Sequence, residues 1–261
     1  MNKYIIIKDY INYYFKAKTK YSVHSPFVFE FITKVLNLKA VKNERIINIE
    51  NLRKTLLSSS KEINIFDLGA GSSNGKTQKY KVCDIAKNSA KSRKYARLLY
   101  RIVDHYKFNT ILELGTSAGI SSMYLSAVPS VKSLTTIEGC PETAKLAEEN
   151  FNKLDYKNIK QIIGNFDIVL PEILKQNKFD FIFFDGNHRE DATLRYFEQC
   201  LKAINNETVF VFDDINWSEG MKNAWKQIKK HPSVRISIDL FFLGIVFFRK
   251  ELSKEDFVIR F

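Results

Sequence analysis

From residue 110 onward, short apolar runs alternate with longer stretches of helical periodicity. The runs fall at 111–114, 134–137, 159–163, 180–184, 208–212, 236–240 and 243–248. Helical stretches lie near 119–127, 141–154, 167–176, 189–204 and 217–230. Strand–helix alternation of this kind predicts an α/β fold with a doubly wound, parallel sheet. The last two runs leave no room for a helix between them and must form a hairpin. The expectation is therefore a seven-stranded, mostly parallel sheet with a C-terminal antiparallel hairpin. Before residue 110 the pattern differs. Residues 4–20, 25–37 and 43–60 read as helices. Ser25-Pro26 supplies an N-cap and a proline at the first helical position, and Phe27, Phe31 and Val35 follow at spacing four. Residues 63–82 turn polar and glycine-rich after Leu68. A long helical stretch, 83–106, then carries Ile85, Leu98, Leu99, Ile102 and Val103. The pattern divides the chain into a mainly helical extension, 1–82, and an α/β domain, 83–261. There is no internal repeat and no low-complexity linker.

Composition adds a charge asymmetry. The 261 residues carry a formal net charge of +12. Residues 1–110 hold 22 Lys and Arg against 8 Asp and Glu, and the remainder holds 19 against 21. The whole excess lies in the N-terminal part, which admits an acidic partner such as nucleic acid, a phosphorylated substrate or a membrane face; scattered solubilising lysines are the plainer reading. No apolar run approaches the ~20 residues of a membrane span, and the first 20 residues lack the apolar core of a signal peptide. The reading is cytoplasmic, with no transmembrane segment. Cys83, Cys140 and Cys200 are odd in number and widely spaced, which favours free thiols over disulfides or zinc.

Two glycine loops compete for a ligand. Residues 110–126 read TILELGTSAGISSMYLS: a strand, then Gly115-Thr-Ser-Ala-Gly119, then a helix. The next strand ends in Glu138. Glycines let backbone approach a ligand, a helix N-terminus offers free N–H groups, and an acid about 20 residues on can accept bonds from a ribose. The G-x-x-x-G spacing departs from G-x-G-x-x-G and argues against a pyrophosphate turn, hence against an NAD-dependent oxidoreductase. The rival segment, Gly69-Ala-Gly-Ser-Ser-Asn-Gly-Lys-Thr77, approaches a P-loop but has Ala70 where that pattern needs glycine.

These residues resemble a class I S-adenosylmethionine (SAM) methyltransferase over about 84–250. Glu113-Leu-Gly115-Thr116-Ser117-Ala-Gly119-Ile-Ser121 resembles the family's first motif. Ile137-Glu138-Gly139 resembles the second, whose acid binds the ribose hydroxyls. Gly164-Asn165-Phe166 resembles the adenine-contacting segment, and Phe181-Ile-Phe-Phe-Asp185-Gly-Asn-His188 the strand end beside the reacting methyl group. Within the class the chain looks most like the catechol and caffeoyl-CoA O-methyltransferase group. That resemblance implies the Rossmann-like methyltransferase fold, SAM as cofactor, and a metal held by Asp185 and by Asp213-Asp214, where the group has Asp-Asn. Three oxygen ligands would suit Mg²⁺ or another hard divalent cation. His188 stands near the position of the catechol enzymes' lysine base and can accept a hydroxyl proton near neutral pH.

The resulting expectation is O-methylation of a small-molecule hydroxyl, with Asp185 and His188 catalytic and the basic segment 1–82 as a substrate-side lid. An RNA methyltransferase using the basic segment and a non-catalytic SAM-fold binding protein remain alternatives. A homodimer stays open. Residues Tyr21 to Phe29 resemble a less characterised bacterial branch, which implies no function.

Overall fold

Two of the helices open on a serine whose hydroxyl takes up a free backbone N–H. Ser25 Oγ accepts from Val28 N at 3.5 Å, and Ser218 Oγ from Met221 N at 3.1 Å, the N-cap arrangement that satisfies first-turn donors. A computed structural model of the protein describes residues 3–37, 43–66, 77–88 and 91–261. In chain order it contains α1 (Lys3–Lys16), α2 (Pro26–Phe31) with a π turn over Ile32–Leu36, and α3 (Glu44–Leu57). Then come β1 (Glu62–Phe66), β2 (Thr77–Lys81), α4 (Val82–Asn88), α5 (Arg93–Tyr106) and β3 (Thr110–Leu114). There follow α6 (Ile120–Ser126), β4 (Ser133–Glu138), α7 (Pro141–Lys153), β5 (Ile159–Ile163) and α8 (Phe166–Gln176). The chain continues through β6 (Phe181–Phe184), α9 (Glu190–Cys200), β7 (Val209–Asp213), α10 (Glu219–Lys230), β8 (Ile236–Asp239), β9 (Leu243–Phe247) and β10 (Glu255–Val258). These elements fall into two compact units, residues 38–172 and residues 1–37 with 173–261.

In the unit 38–172, β3, β4 and β5 run parallel, β4 between the other two. Ile111, Leu112, Leu114, Leu134 and Ile137 are wholly buried. All seven residues of α6 are buried although three are serines. Their hydroxyls and the Tyr124 phenol have partners, as buried polar groups require. Ser122 donates to Glu113, Tyr124 to Glu50 at 2.5 Å and Ser126 to Asn158 at 2.6 Å. Glu50 also receives Arg93 Nε at 2.7 Å. Burial pushes its carboxyl up, but the bonds from Tyr124 and Arg93 and the charge of Arg53 outweigh burial and hold it below the ordinary value. Residues 77–81, read within the polar stretch after Leu68, instead form β2 and pair antiparallel with β1. The expected helix 83–106 is two helices, because Ser92 is extended (ψ 152°) ahead of Arg93. Most of the P-loop-like segment Gly69–Thr77 lies outside the described residues.

In the other unit the strand order is β10-β8-β9-β7-β6. β6 and β7 are parallel, and β9 is antiparallel to both β7 and β8. The expected hairpin is present. The strand count needs correction: β10 adds to the seven expected runs, parallel to β8, so among the described residues the α/β fold has eight strands, β3–β5 in one unit and β6–β10 in the other, apart from the β1–β2 ladder. Glu-Asp-Phe-Val offers only two apolar positions, and an edge strand this short leaves no readable alternation. Strands β6, β7 and β9 are buried along their whole length, as for strands covered on both faces. Phe184 stacks on Phe212 with ring centroids 4.3 Å apart. Phe241, Phe247 and Phe248 are core, as their place in the hairpin implied. α1 and α2 belong to this unit. Tyr13 packs on Phe241 and its hydroxyl donates to the Ile259 carbonyl, while Phe27 meets Phe247 edge-on at 4.9 Å.

Candidate active site

The glycine loop of the unit 38–172 is held in place by the side chains around it. Gly115 (φ 104°), Ser117 (φ 49°) and Gly119 (φ 77°) all occupy left-handed or related backbone. Gly119 has two reasons to be glycine. Its φ disfavours any side chain, and a Cβ there would lie 2.4 Å from the Phe151 ring. Asn150, one residue earlier on α7, donates to the Ala118 carbonyl at 2.9 Å. Both α7 residues were invisible to sequence reasoning, since nothing in a helix pattern says which neighbour it touches.

Glu138 at the tip of β4 closes the loop. Its Oε2 accepts from Ser117 N at 2.9 Å and its Oε1 from Cys140 N at 3.0 Å. Burial lifts its carboxyl above the ordinary value, and these backbone bonds pull it back down. The backbone N–H groups of Thr116 and Gly139 also act on this carboxylate, and the residue stays partly exposed beside Gly139. Below the loop, Thr116 and Thr136 share a hydroxyl bond of 2.7 Å, and Thr136 donates on to Glu113 at 2.8 Å. Glu113 is fully enclosed, and burial pushes its carboxyl up to about 7 against the hydroxyls of Ser121, Ser122 and Thr136. Ser121 is buried at the start of α6.

Two polar atoms in this cradle, Ser117 Oγ and Glu113 Oε1, are buried without a hydrogen-bond partner. An unmet buried polar atom costs about 1–3 kcal/mol, so the cradle suits a polar ligand. The expected adenine segment looks different. Asn165 is exposed, and its side-chain oxygen accepts from Asp167 N at 2.9 Å, capping α8. Phe166 beside it is half-buried.

The other unit carries a separate group of titratable side chains. Asp185 follows β6, His188 precedes α9, and Asp213 ends β7. One ligand atom from each lies within 4.8 Å of the others. His188 Nε2 is 3.9 Å from Asp185 Oδ1, and Asp213 is 3 % exposed. Asp214 stands outside this group, in left-handed backbone (φ 53°), its carbonyl accepting from Trp217 N at 2.9 Å. β7 ends at Asp213 and Asp214 turns into left-handed backbone, so it is Asp213 that converges with Asp185, and His188 joins them. Two carboxylate oxygens and an imidazole nitrogen form a mixed donor set. Mn²⁺ or Zn²⁺ accepts such a set more readily than Mg²⁺, which prefers oxygen alone.

Comparison with known proteins adds to this geometry. Residues 112–215 match the family model described as "Methyltransferase domain". The O-methyltransferase imqG of Aspergillus flavus is 26% identical over 111 residues, 40% of this chain and 44% of that protein. The 4-diphosphocytidyl-2-C-methyl-D-erythritol kinase of Ureaplasma urealyticum is 25% identical over 157 residues, 58% of this chain and 54% of that one. The chain thus spans about half the length of the curated relatives it matches. Among solved structures, the SAH-bound methyltransferase PaMTH1 of Podospora anserina superposes with a TM-score of 0.61 at 14% identity, over 87% of this chain and 97% of that one. That likeness shows a shared fold.

Proposed function

With a methyltransferase domain at 112–215 as premise, we propose that this chain is a SAM-dependent methyltransferase acting on a hydroxyl oxygen of a small molecule. The observation that carries the reading is the bond of 2.9 Å from Ser117 N to Glu138. It joins the glycine loop to the acid at the next strand's tip, and so pre-forms the half-site for a nucleoside. In this reading Glu138 accepts the ribose hydroxyls, with Gly139 beside it. The backbone of Gly115, Thr116, Ser117 and Gly119, with Ser121, holds the amino-acid end, and Glu113, enclosed beside them, holds Ser122 and Thr136 in place. Asn165 and Phe166 flank the base. The shared fold with an SAH-bound methyltransferase and the domain match favour methyl transfer over the phosphoryl transfer in the second relative's name.

Methyl transfer breaks the sulfonium's carbon–sulfur bond and forms a carbon–oxygen bond, leaving S-adenosylhomocysteine. The acceptor's O–H proton must go to a base. His188 takes it, and Asp185, 3.9 Å away, steadies the imidazolium that results. Asp213 and Asp185 orient the acceptor. A divalent cation held by Asp185, His188 and Asp213 would instead supply Lewis acidity at the acceptor oxygen, and His188 would then be a ligand and no longer the base. Displacement at a methyl carbon needs alignment more than covalent help, so the protein's task is mostly positioning. The excess of basic residues before residue 110 keeps an RNA acceptor as the second reading.

The test is methyl-labelled SAM with a panel of phenols, catechols and aliphatic alcohols, with RNA in parallel. Label on a hydroxyl and stoichiometric S-adenosylhomocysteine support the proposal. Label on RNA alone would transfer it to the second reading, and SAM binding without any transfer would leave a binding protein.

A further inference from the structure

Helix α1 is apolar on both sides; one side packs into the core, and the other is largely exposed, with Tyr14 carrying the Arg260 guanidinium over its ring at 4.0 Å. Ile6, Tyr13 and Ala17 pack on Phe241 and Phe242. The opposite side, at helical spacing, carries Tyr4 (81 % exposed), Ile7 (56 %), Ile11 (49 %), Tyr14 (43 %) and Phe15 (81 %). A monomer scatters single apolar residues over its surface, but a contiguous stripe of this kind marks an interaction face. Lys8, Lys16 and Lys18 are exposed in or beside it. Residues 1–20 hold five lysines and one acid, Asp9. That acid is already taken: Lys222 Nζ lies 2.5 Å from Asp9 Oδ2, so it does not offset the lysines facing outward.

We propose that α1 docks the protein onto an anionic lipid surface, lying in the plane of the headgroups. Aromatic and aliphatic side chains interleaved with lysines are the composition of interfacial helices, with each lysine near an anionic leaflet contributing about 1 kcal/mol. The helix cannot cross. Fourteen residues span about 21 Å against a hydrocarbon core of ~30 Å, and no helix among the described residues is long and apolar enough to do so. A second copy fits the face less well, because a two-fold contact places each lysine-bearing stripe against itself with no acid to pair it. RNA fits less well because Ile7 and Ile11, in the middle of the stripe, offer bases nothing to stack on, although Tyr4, Tyr14 and Phe15 around them do.

The test is co-sedimentation of the full chain with vesicles of phosphatidylglycerol and phosphatidylcholine, against phosphatidylcholine alone. Partition onto the anionic vesicles should be at least about tenfold stronger, and should weaken with salt. Ile11→Glu and Phe15→Glu each place a charge on an exposed position. Circular dichroism should be unchanged while binding drops by roughly tenfold or more. Lys8→Glu should lower binding to anionic vesicles only. Equal pelleting with both lipids, or no pelleting with either, overturns the proposal. So does a dimer in light scattering that Phe15→Glu dissolves without any vesicle binding, or retention of RNA that competes with the vesicles.

Discussion

Glu138 Oε2 accepts the backbone N–H of Ser117 at 2.9 Å, across 21 residues of chain. The carboxylate therefore shapes the glycine loop before any ligand arrives. Its other oxygen holds Cys140 N. Glu138→Gln keeps the shape but replaces one acceptor oxygen with a donor, which faces an N–H it cannot serve. The ligand-free protein should lose about 1–2 kcal/mol in urea unfolding. Unchanged stability would mean the loop holds itself.

Gly119 sits at φ 77° with the Phe151 ring where a side chain would go. Gly119→Ala should cost about 1–3 kcal/mol, part from backbone strain and part from the clash. Adding Phe151→Leu should return the clash part alone, measured as a partial recovery of the urea midpoint. Full recovery would show that the backbone strain is negligible.

Glu113 is enclosed, and its carboxyl is pushed up to about 7 from an ordinary 4.5. The folded state therefore holds a proton that the unfolded state gives up earlier. The sign follows: this contribution is fully present below about pH 4.5 and is lost as pH rises through about 7. Glu113→Gln cannot titrate, so its stability relative to the parent should rise between pH 5 and pH 8, on the order of 3 kcal/mol at most. Thermal unfolding at the two pH values reads the change. A constant gap would show that Glu113 does not titrate in this window.

Asp185, His188 and Asp213 converge within 4.8 Å. If they hold a cation, chelation and Asp213→Asn should each lower kcat by about a hundredfold or more, with Mn²⁺ or Zn²⁺ restoring the chelated enzyme. His188→Gln should lower kcat by about a hundredfold or more, with SAM affinity unchanged, if the imidazole is the base. Full activity in chelator together with unaltered Asp213→Asn turnover would remove the metal and leave His188 as base.

Much of this was legible in the chain because the residue types carry the signal. Gly115, Gly119 and Glu138 stand out together in any reading of 110–138, since glycine marks special backbone and an acid ends the next strand about 20 residues on. The supports were not legible. Asn150 and Phe151 act through contacts that a helical pattern does not encode, and Ser122 and Thr136 look like ordinary small polar residues until Glu113 is seen buried among them. The segment at Asn165 shows the opposite error of emphasis, because a residue placed by motif also has the plain task of capping α8. Of the two adjacent acids 213 and 214, Asp213 at the end of β7 joins Asp185 and His188, while Asp214 lies beyond the strand in left-handed backbone.

The central claim is that the Gly115–Gly119 loop and Glu138 bind SAM, and calorimetry of the full chain with SAM tests it most directly. The account predicts binding in the micromolar range, about −8 kcal/mol at 1 μM, falling by roughly a hundredfold in Glu138→Ala with the loss of charge-assisted bonds to the ribose. No heat of binding up to millimolar SAM, or equal affinity in the parent chain and Glu138→Ala, would contradict it.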